Sequence, residues 1–119
     1  MAQCFLYPCH IASDDEDIAL TVVTSVDQYL AEIIKPLFNG YRRLGVASGR
    51  IRGLQVRAVS SRLRHVTVLW EVLNSLGAVL LSHEASYTLA SRSGEWRISA
   101  IAYSEMKEIN TLLASMPSA

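Results

Sequence analysis

HVTVLWEVL (65–73), NSLG (74–77), AVLLSHEASYTLA (78–90), SRSG (91–94) and EWRISAIAY (95–103) follow one another without interruption and read as two consecutive β-hairpins. The long segments alternate large apolar with polar side chains at period two, the mark of a strand with one buried face. Asn74–Gly77 and Ser91–Gly94 carry turn-forming residues. With two-residue loops at Ser75–Leu76 and Ser93–Gly94, Val66 faces Ala85, Val68 faces His83, Trp70 faces Leu81 and Val72 faces Val79. In the second hairpin Leu89 faces Ile98, Tyr87 faces Ala100 and Ala85 faces Ala102. All share one parity and therefore one face of a sheet. A slip of one residue would mix Val, Trp and Ile with Thr, Glu and Arg, so the pattern selects its own register. The opposite face holds His65, Thr67, Leu69, Glu71, Glu84, Arg97 and Tyr103. It is neither a solvent face nor a core, which suits a surface shared between water and another subunit.

Working outward, Ile51–Ser60 is a further strand with Leu54, Val56 and Ala58 on one face. Placing Val56 opposite Val68 and Leu54 opposite Trp70 requires three residues or a bulge in the turn through Ser61–Leu63. A row Arg57–Thr67–Glu84–Tyr103 then crosses the outer face, with Arg57 and Glu84 able to pair across Thr67. Upstream, Ser25-Val26-Asp27-Gln28 opens a helix with a capping box. Tyr29, Leu30, Ile33, Ile34, Leu37, Phe38, Tyr41 and Leu44 repeat at helical spacing, and Gly45 is a natural stop. Pro36 removes one backbone hydrogen bond, which predicts a kink near Glu32–Pro36. Asn39-Gly40 is a weak point. Cys4–Ile11 and Ile18–Thr24 read as a hairpin with its tip at Asp15–Glu16, Cys9 against Val22 and Ile11 against Leu20. Pro8 predicts an edge position or a bulge in the first of these strands. After Tyr103, Ser104 can cap a short helix striped by Met106, Ile109, Leu112, Leu113 and Met116, with Pro117 ending it.

The composition narrows the function classes. Half of the 119 residues are apolar and 18% are charged, as in a compact folded domain. One domain over 1–119 is expected. Basic and acidic residues balance at 11 each, against nucleic-acid binding, although seven of the nine arginines fall between Arg42 and Arg64. No apolar run is long enough to span a bilayer, so no membrane association is expected and a cytoplasmic location follows. Cys4, Cys9 and His10 lack the second ligand pair of a zinc site, and the acidic turn lacks the glycine and distal glutamate of a calcium loop. No metal and no cofactor are expected.

The order helix, strand, two long hairpins, with Ala85-Ser86-Tyr87-Thr88-Leu89 followed by Gly94-Glu95-Trp96-Arg97-Ile98 and preceded by Val66-x-Val68-x-Trp70, resembles the nuclear transport factor 2-like superfamily and its SnoaL-like branch. The resemblance implies an α+β fold: a strongly curved, mainly antiparallel, cone-like sheet wrapped on one long amphipathic helix, with a short C-terminal helix. It also implies an apolar pocket inside the cone and a homodimer packed through the outer sheet face. Members commonly begin with two helices that close the cone, whereas here the first strand starts near Met1. The expectation is a shortened N-terminus, or a partner subunit that covers the exposed apolar face.

Within the cone, Tyr29, Tyr41, Trp70, Ala85, Tyr87, Trp96, Ala100 and Ala102 are the expected pocket lining, the alanines leaving space beneath the helix. His83 is the one candidate general base, but no carboxylate shares its face to orient it. The aspartates of the isomerase-type relatives have no counterpart, since no Asp follows Asp27. Arg57, Thr67, Glu84, Arg97 and Tyr103 are the expected oligomer face. The leading expectation is a non-catalytic module, homo-oligomeric, that binds a small apolar molecule or serves an interaction. The rival is an enzyme of isomerase, dehydratase or hydrolase type acting on a hydrophobic small molecule through His83.

Overall fold

The computed structural model describes residues 4–14 and 17–116. Its strands are β1 (Phe5–Asp14), β2 (Ile18–Val23), β3 (Val46–Ser60), β4 (Leu63–Asn74), β5 (Val79–Arg92) and β6 (Glu95–Tyr103). They form one sheet in the order β2-β1-β6-β5-β4-β3. Only the β1–β6 pairing is parallel. A helical rod runs between β2 and β3 as α1 (Val26–Tyr29), a π-helical turn (Leu30–Ile34) and α2 (Lys35–Leu44), and α3 (Glu105–Ser115) follows β6. This is the α+β architecture expected, with the rod on the concave face of a curved, mainly antiparallel sheet.

The rod begins as the sequence predicts. The Ser25 hydroxyl accepts the Gln28 N–H at 3.2 Å, and the Gln28 side-chain oxygen reaches back to accept the Thr24 N–H at 2.8 Å. Near Pro36 the helix accommodates the missing donor by widening. The turn before it is π-helical, and the Lys35 N–H reaches five residues back to the Leu30 carbonyl. Gly45, at φ 74°, ends the rod in the left-handed conformation that suits glycine. Gly40 does not end the helix. It is buried, and a Cβ there would lie 2.8 Å from Ile109 Cγ2, so the missing side chain is what lets α3 approach α2.

The hairpins keep most of the expected faces, the last residues of β6 excepted, but not every expected pairing. Asn74 Oδ1 accepts the Leu76 and Ala78 N–H groups, each at 3.0 Å, and so holds a wider loop than two residues. That wider loop, together with a register shift between Val72 and Leu73, pairs Trp70 with His83 and Val68 with Ala85. That is a slip of two residues, which preserves parity. At the second turn Ser93 and Gly94 both have positive φ, as a two-residue hairpin loop requires, and Leu89 pairs with Ile98 as expected. Beyond Thr88 a bulge shifts the register by one, so that Tyr87 meets Ile101 and Ala85 meets Tyr103. The Ser99 hydroxyl donates to the Thr88 carbonyl at 3.2 Å at this irregularity.

Between β3 and β4 a bulge is present, but it does not bring Val56 opposite Val68 or Leu54 opposite Trp70 as expected. Ser60 pairs with Leu63 across a tight turn and the register shifts next to it, so Val56 faces Val66 and Leu54 faces Val68. The row Arg57–Thr67–Glu84–Tyr103 does not exist: Arg57 pairs with His65, Thr67 with Gln55 and Ser86, and Glu84 with Leu69. In β1 the register breaks between Phe5 and His10, across Pro8, and the strand is internal rather than an edge. Its partner β2 is also one residue out of the expected register. Cys9 faces Val23, which is fully buried, and Leu20 is left 79% exposed. The expected hairpin tip, Asp15–Glu16, and the helix-ending Pro117 lie outside the described residues.

Two buried clusters hold the layers together. Phe5, Cys9, Ile11, Val23 and Tyr29 form one beneath α1. Val72, Leu81 and Ile109 form the other, where α3 packs against the sheet and α2. Between them the rod and the concave face do not close on each other.

Candidate functional site

The unclosed space is a cavity of about 790 Å³ between the rod and the sheet, within the range of small-molecule sites, about 300–1,000 Å³. Tyr29 and Tyr41 reach it from the rod, Trp70, His83, Ala85 and Tyr87 from β4 and β5. Tyr103, which strict alternation puts on the outer face, lines the cavity together with Ile101. Ala100 and Ala102, expected inside, instead line a shallow groove on the opposite face with Leu20, Val22, His65 and Thr88. The cause of both corrections is the bulge beside Leu89, which reverses the parity of the last residues of β6. Trp96 is also misplaced by the sequence reading. It sits beyond the cavity near the β5–β6 turn, 37% exposed, with the Arg64 guanidinium 4.2 Å above its ring.

The polar end of the cavity is built by a residue that the sequence reading passed over. Glu105, in the first turn of α3, is 5% exposed, and His83 is 8% exposed. His83 Nε2 lies 3.2 Å from Glu105 Oε2, and the Tyr41 hydroxyl donates to the same oxygen. The Tyr41 hydroxyl marks that oxygen as an acceptor, and the N-terminal end of a helix suits an anion. His83 therefore has the orienting carboxylate that its own sheet face lacks. His83 Nδ1 is buried with no hydrogen-bond partner among the described residues. A signal for Glu105 was present: it stands four positions before Ile109, on the same helical face as the stripe that docks α3.

The tyrosines around this cluster are held neutral. Burial raises the Tyr41 hydroxyl far above its ordinary pKa, and its hydrogen bond to Glu105 adds to the effect. Burial likewise raises Tyr29. Tyr87 is raised by burial, partly offset by the Trp70 indole N–H, which donates to its oxygen at 3.1 Å. Tyr103 is raised by burial and by the Glu105 charge, against a hydrogen bond with Ser13. All four remain hydroxyl donors at neutral pH.

On the outer face Arg57 and Thr67 flank a shallow depression beside His65. Glu84 is exposed next to Leu69, and Arg97 pairs with Glu95. Glu71 is buried under Arg50, at 2.8 Å, and Arg52, at 3.5 Å. Among the described residues no three His, Cys, Asp or Glu side chains converge as a metal site, and no helix is long and apolar enough to cross a membrane.

Comparison with known proteins places this geometry. A family model described as NTF2-like protein (DUF6841) matches residues 1–106. Among solved structures, an NTF-2 like protein of unknown function from Shewanella oneidensis MR-1 superposes with a TM-score of 0.63 at 14% identity, covering 87% of this chain and 78% of that one. A candidate ketosteroid isomerase from Shewanella frigidimarina NCIMB 400 gives 0.61 at 12% identity, covering 86% and 76%. A domain of unknown function with a cystatin-like fold from Nostoc punctiforme PCC 73102 gives 0.55 at 14% identity, covering 98% and 73%. Likeness at such identities concerns the fold alone. Among curated proteins no sequence match is found.

Proposed function

The chain belongs to the NTF2-like protein family (DUF6841), and from that premise we propose that it is a small-molecule-binding protein whose ligand lies in the cavity between the rod and the sheet. The observation that carries the reading is the buried His83–Glu105–Tyr41 cluster at one end of a cavity with otherwise mostly apolar walls. Apolar walls supply affinity through burial, and a few fixed polar groups set orientation. A packing role alone would not leave an imidazole nitrogen buried without a partner, because such a group costs about 1–3 kcal/mol. A thermal-shift screen of hydrophobic small molecules against the wild type and His83→Ala tests it. Hits that stabilise the wild type and lose most of their shift in the variant support the reading; no stabilising molecule of any polarity would count against it.

The same pair favours a second reading, acid–base catalysis on a hydrophobic substrate. An imidazole beside a carboxylate is a familiar acid–base pair, and both residues line the cavity. Turnover of a bound ligand that disappears in His83→Ala, with affinity retained, distinguishes catalysis from binding.

We also propose that the protein is a homodimer through the outer sheet face. Ile18, Leu20 and Val22 are 59%, 79% and 48% exposed there, next to Ala100 and Ala102. Contiguous apolar surface of this kind marks an interaction site. Light scattering on the purified protein tests this, and a monomer at micromolar concentration would sink it.

A further inference from the structure

We infer that the end of the sheet where the β3–β4 and β5–β6 turns lie side by side docks on the surface of an anionic lipid bilayer. This contact does not depend on the cavity or on what fills it. The two turns are joined directly, the Ser91 N–H donating to the Arg62 carbonyl at 2.9 Å. Five arginines stand here, Arg57, Arg62, Arg64, Arg92 and Arg97, all of them exposed. Within residues 54–64 and 89–98 the only acidic residue is Glu95, which pairs with Arg97. Apolar side chains are interleaved with these charges. Val56, Val59 and Leu63 are 57%, 49% and 40% exposed, and Trp96 stands at the surface under the Arg64 guanidinium.

The zero net charge of the whole chain conceals this end. β1 runs parallel to β6 with Ser13 beside Tyr103, so Asp14 and Asp17 lie at the far end of β6 from Glu95. The nine residues of β6 separate the two ends by about 26 Å. That is more than two Debye lengths of about 10 Å at 0.1 M salt, so the arginine end meets a surface as a local cation. A headgroup layer accepts both kinds of side chain found here. Guanidiniums reach anionic headgroups, and an indole with aliphatic neighbours suits the boundary with the acyl chains. No membrane-spanning segment is needed for such a contact. Other partners fit less well. A second copy meeting this end about a two-fold axis would set five arginines against five. A single-stranded nucleic acid stacks its bases on free aromatic rings. Trp96, the one aromatic residue of these two segments, already carries a guanidinium on one face.

Vesicle co-sedimentation tests this, with pure phosphatidylcholine against two parts phosphatidylcholine to one part phosphatidylserine. At low ionic strength the mixed vesicles are expected to bind the protein roughly tenfold or more tightly than the pure ones, and added salt should shrink the difference. Arg57→Gln/Arg62→Gln should weaken binding to the mixed vesicles roughly tenfold or more, since each basic group near an anionic surface contributes about fivefold. Lys35→Gln/Arg43→Gln removes the same charge from the rod and should bind like the wild type. Equal losses for the two double variants would show that net charge alone counts, and would overturn the inference. Absence of any preference for the mixed vesicles overturns it too. Binding to polyglutamate but not to mixed vesicles would identify an acidic protein as the partner, with the same consequence.

Discussion

At the scale of single residues, Glu105 matters most. It accepts two hydrogen bonds in a buried setting, so its loss leaves the Tyr41 hydroxyl and His83 Nε2 unpaired. Each stranded donor costs about 1–3 kcal/mol. Glu105→Leu is therefore expected to lower unfolding stability by roughly 2–4 kcal/mol in urea titrations, and Glu105→Gln, which keeps an acceptor oxygen, by less than half as much. Similar losses for the two variants would mean that the acceptor role is not what Glu105 contributes. The tyrosines give a second expectation. Tyr29, Tyr41, Tyr87 and Tyr103 hold their protons more tightly in the fold than in the unfolded chain, with burial the first cause in each. A pKa raised on folding contributes stability that is intact below the unfolded value, about pH 10, and is lost as pH rises above it. The free energy of unfolding should fall steeply above about pH 10, by up to about 1.4 kcal/mol per pH unit for each tyrosine, with the melting temperature falling in parallel. In Tyr41→Phe the slope should be shallower, and an unchanged slope would exclude Tyr41 from the effect.

At the scale of elements, α3 determines whether the polar cluster exists. Its Ile109 is fully buried against Gly40, and that contact brings Glu105 over the end of β5. Gly→Ala in a helix interior ordinarily stabilises by about 1 kcal/mol. Here the added methyl would stand 2.8 Å from a branched methyl of Ile109, which has little room to move. Gly40→Ala is expected to destabilise by about 1–3 kcal/mol, and to weaken ligand binding by loosening α3. Differential scanning calorimetry reads the first effect, and a raised melting temperature would show that α3 shifts without strain. The β6 bulge is the other decisive element. Trp96 and Ile98 keep strict alternation, but the next large residues are Ile101 and Tyr103, so the spacing of bulky side chains breaks at Ser99. That break was legible. Regular alternation overrode it, and so Ala100 and Ala102 were read as pocket and Tyr103 as surface.

At the scale of the molecule, the exposed apolar residues of β2 sit on the face away from the rod. Burying them against a second copy removes apolar area worth about 25 cal/mol per Å² from water. Leu20→Asp is expected to shift a dimer to monomer by at least tenfold in dissociation constant, read by analytical ultracentrifugation, with the circular dichroism spectrum unchanged. A dimer insensitive to Leu20→Asp and Val22→Asp would place the interface elsewhere.

The strands, the rod with its cap and stop, the inward set Val66, Val68, Trp70, His83, Ala85, Tyr87 and Ile98, and the family resemblance were all determined by the sequence. They rest on local periodicity, turn chemistry and capping, which act over a few residues. The identity of His83's partner, the side on which Ile101 and Tyr103 fall, and the outward turn of β2 were decided only by tertiary structure. Glu105 lies 22 positions from His83 and reaches it because Ile109 finds a helix without a side chain at Gly40. A single bulge or a loop longer by one residue inverts a strand's faces, and its cost is set by packing partners far away in the chain.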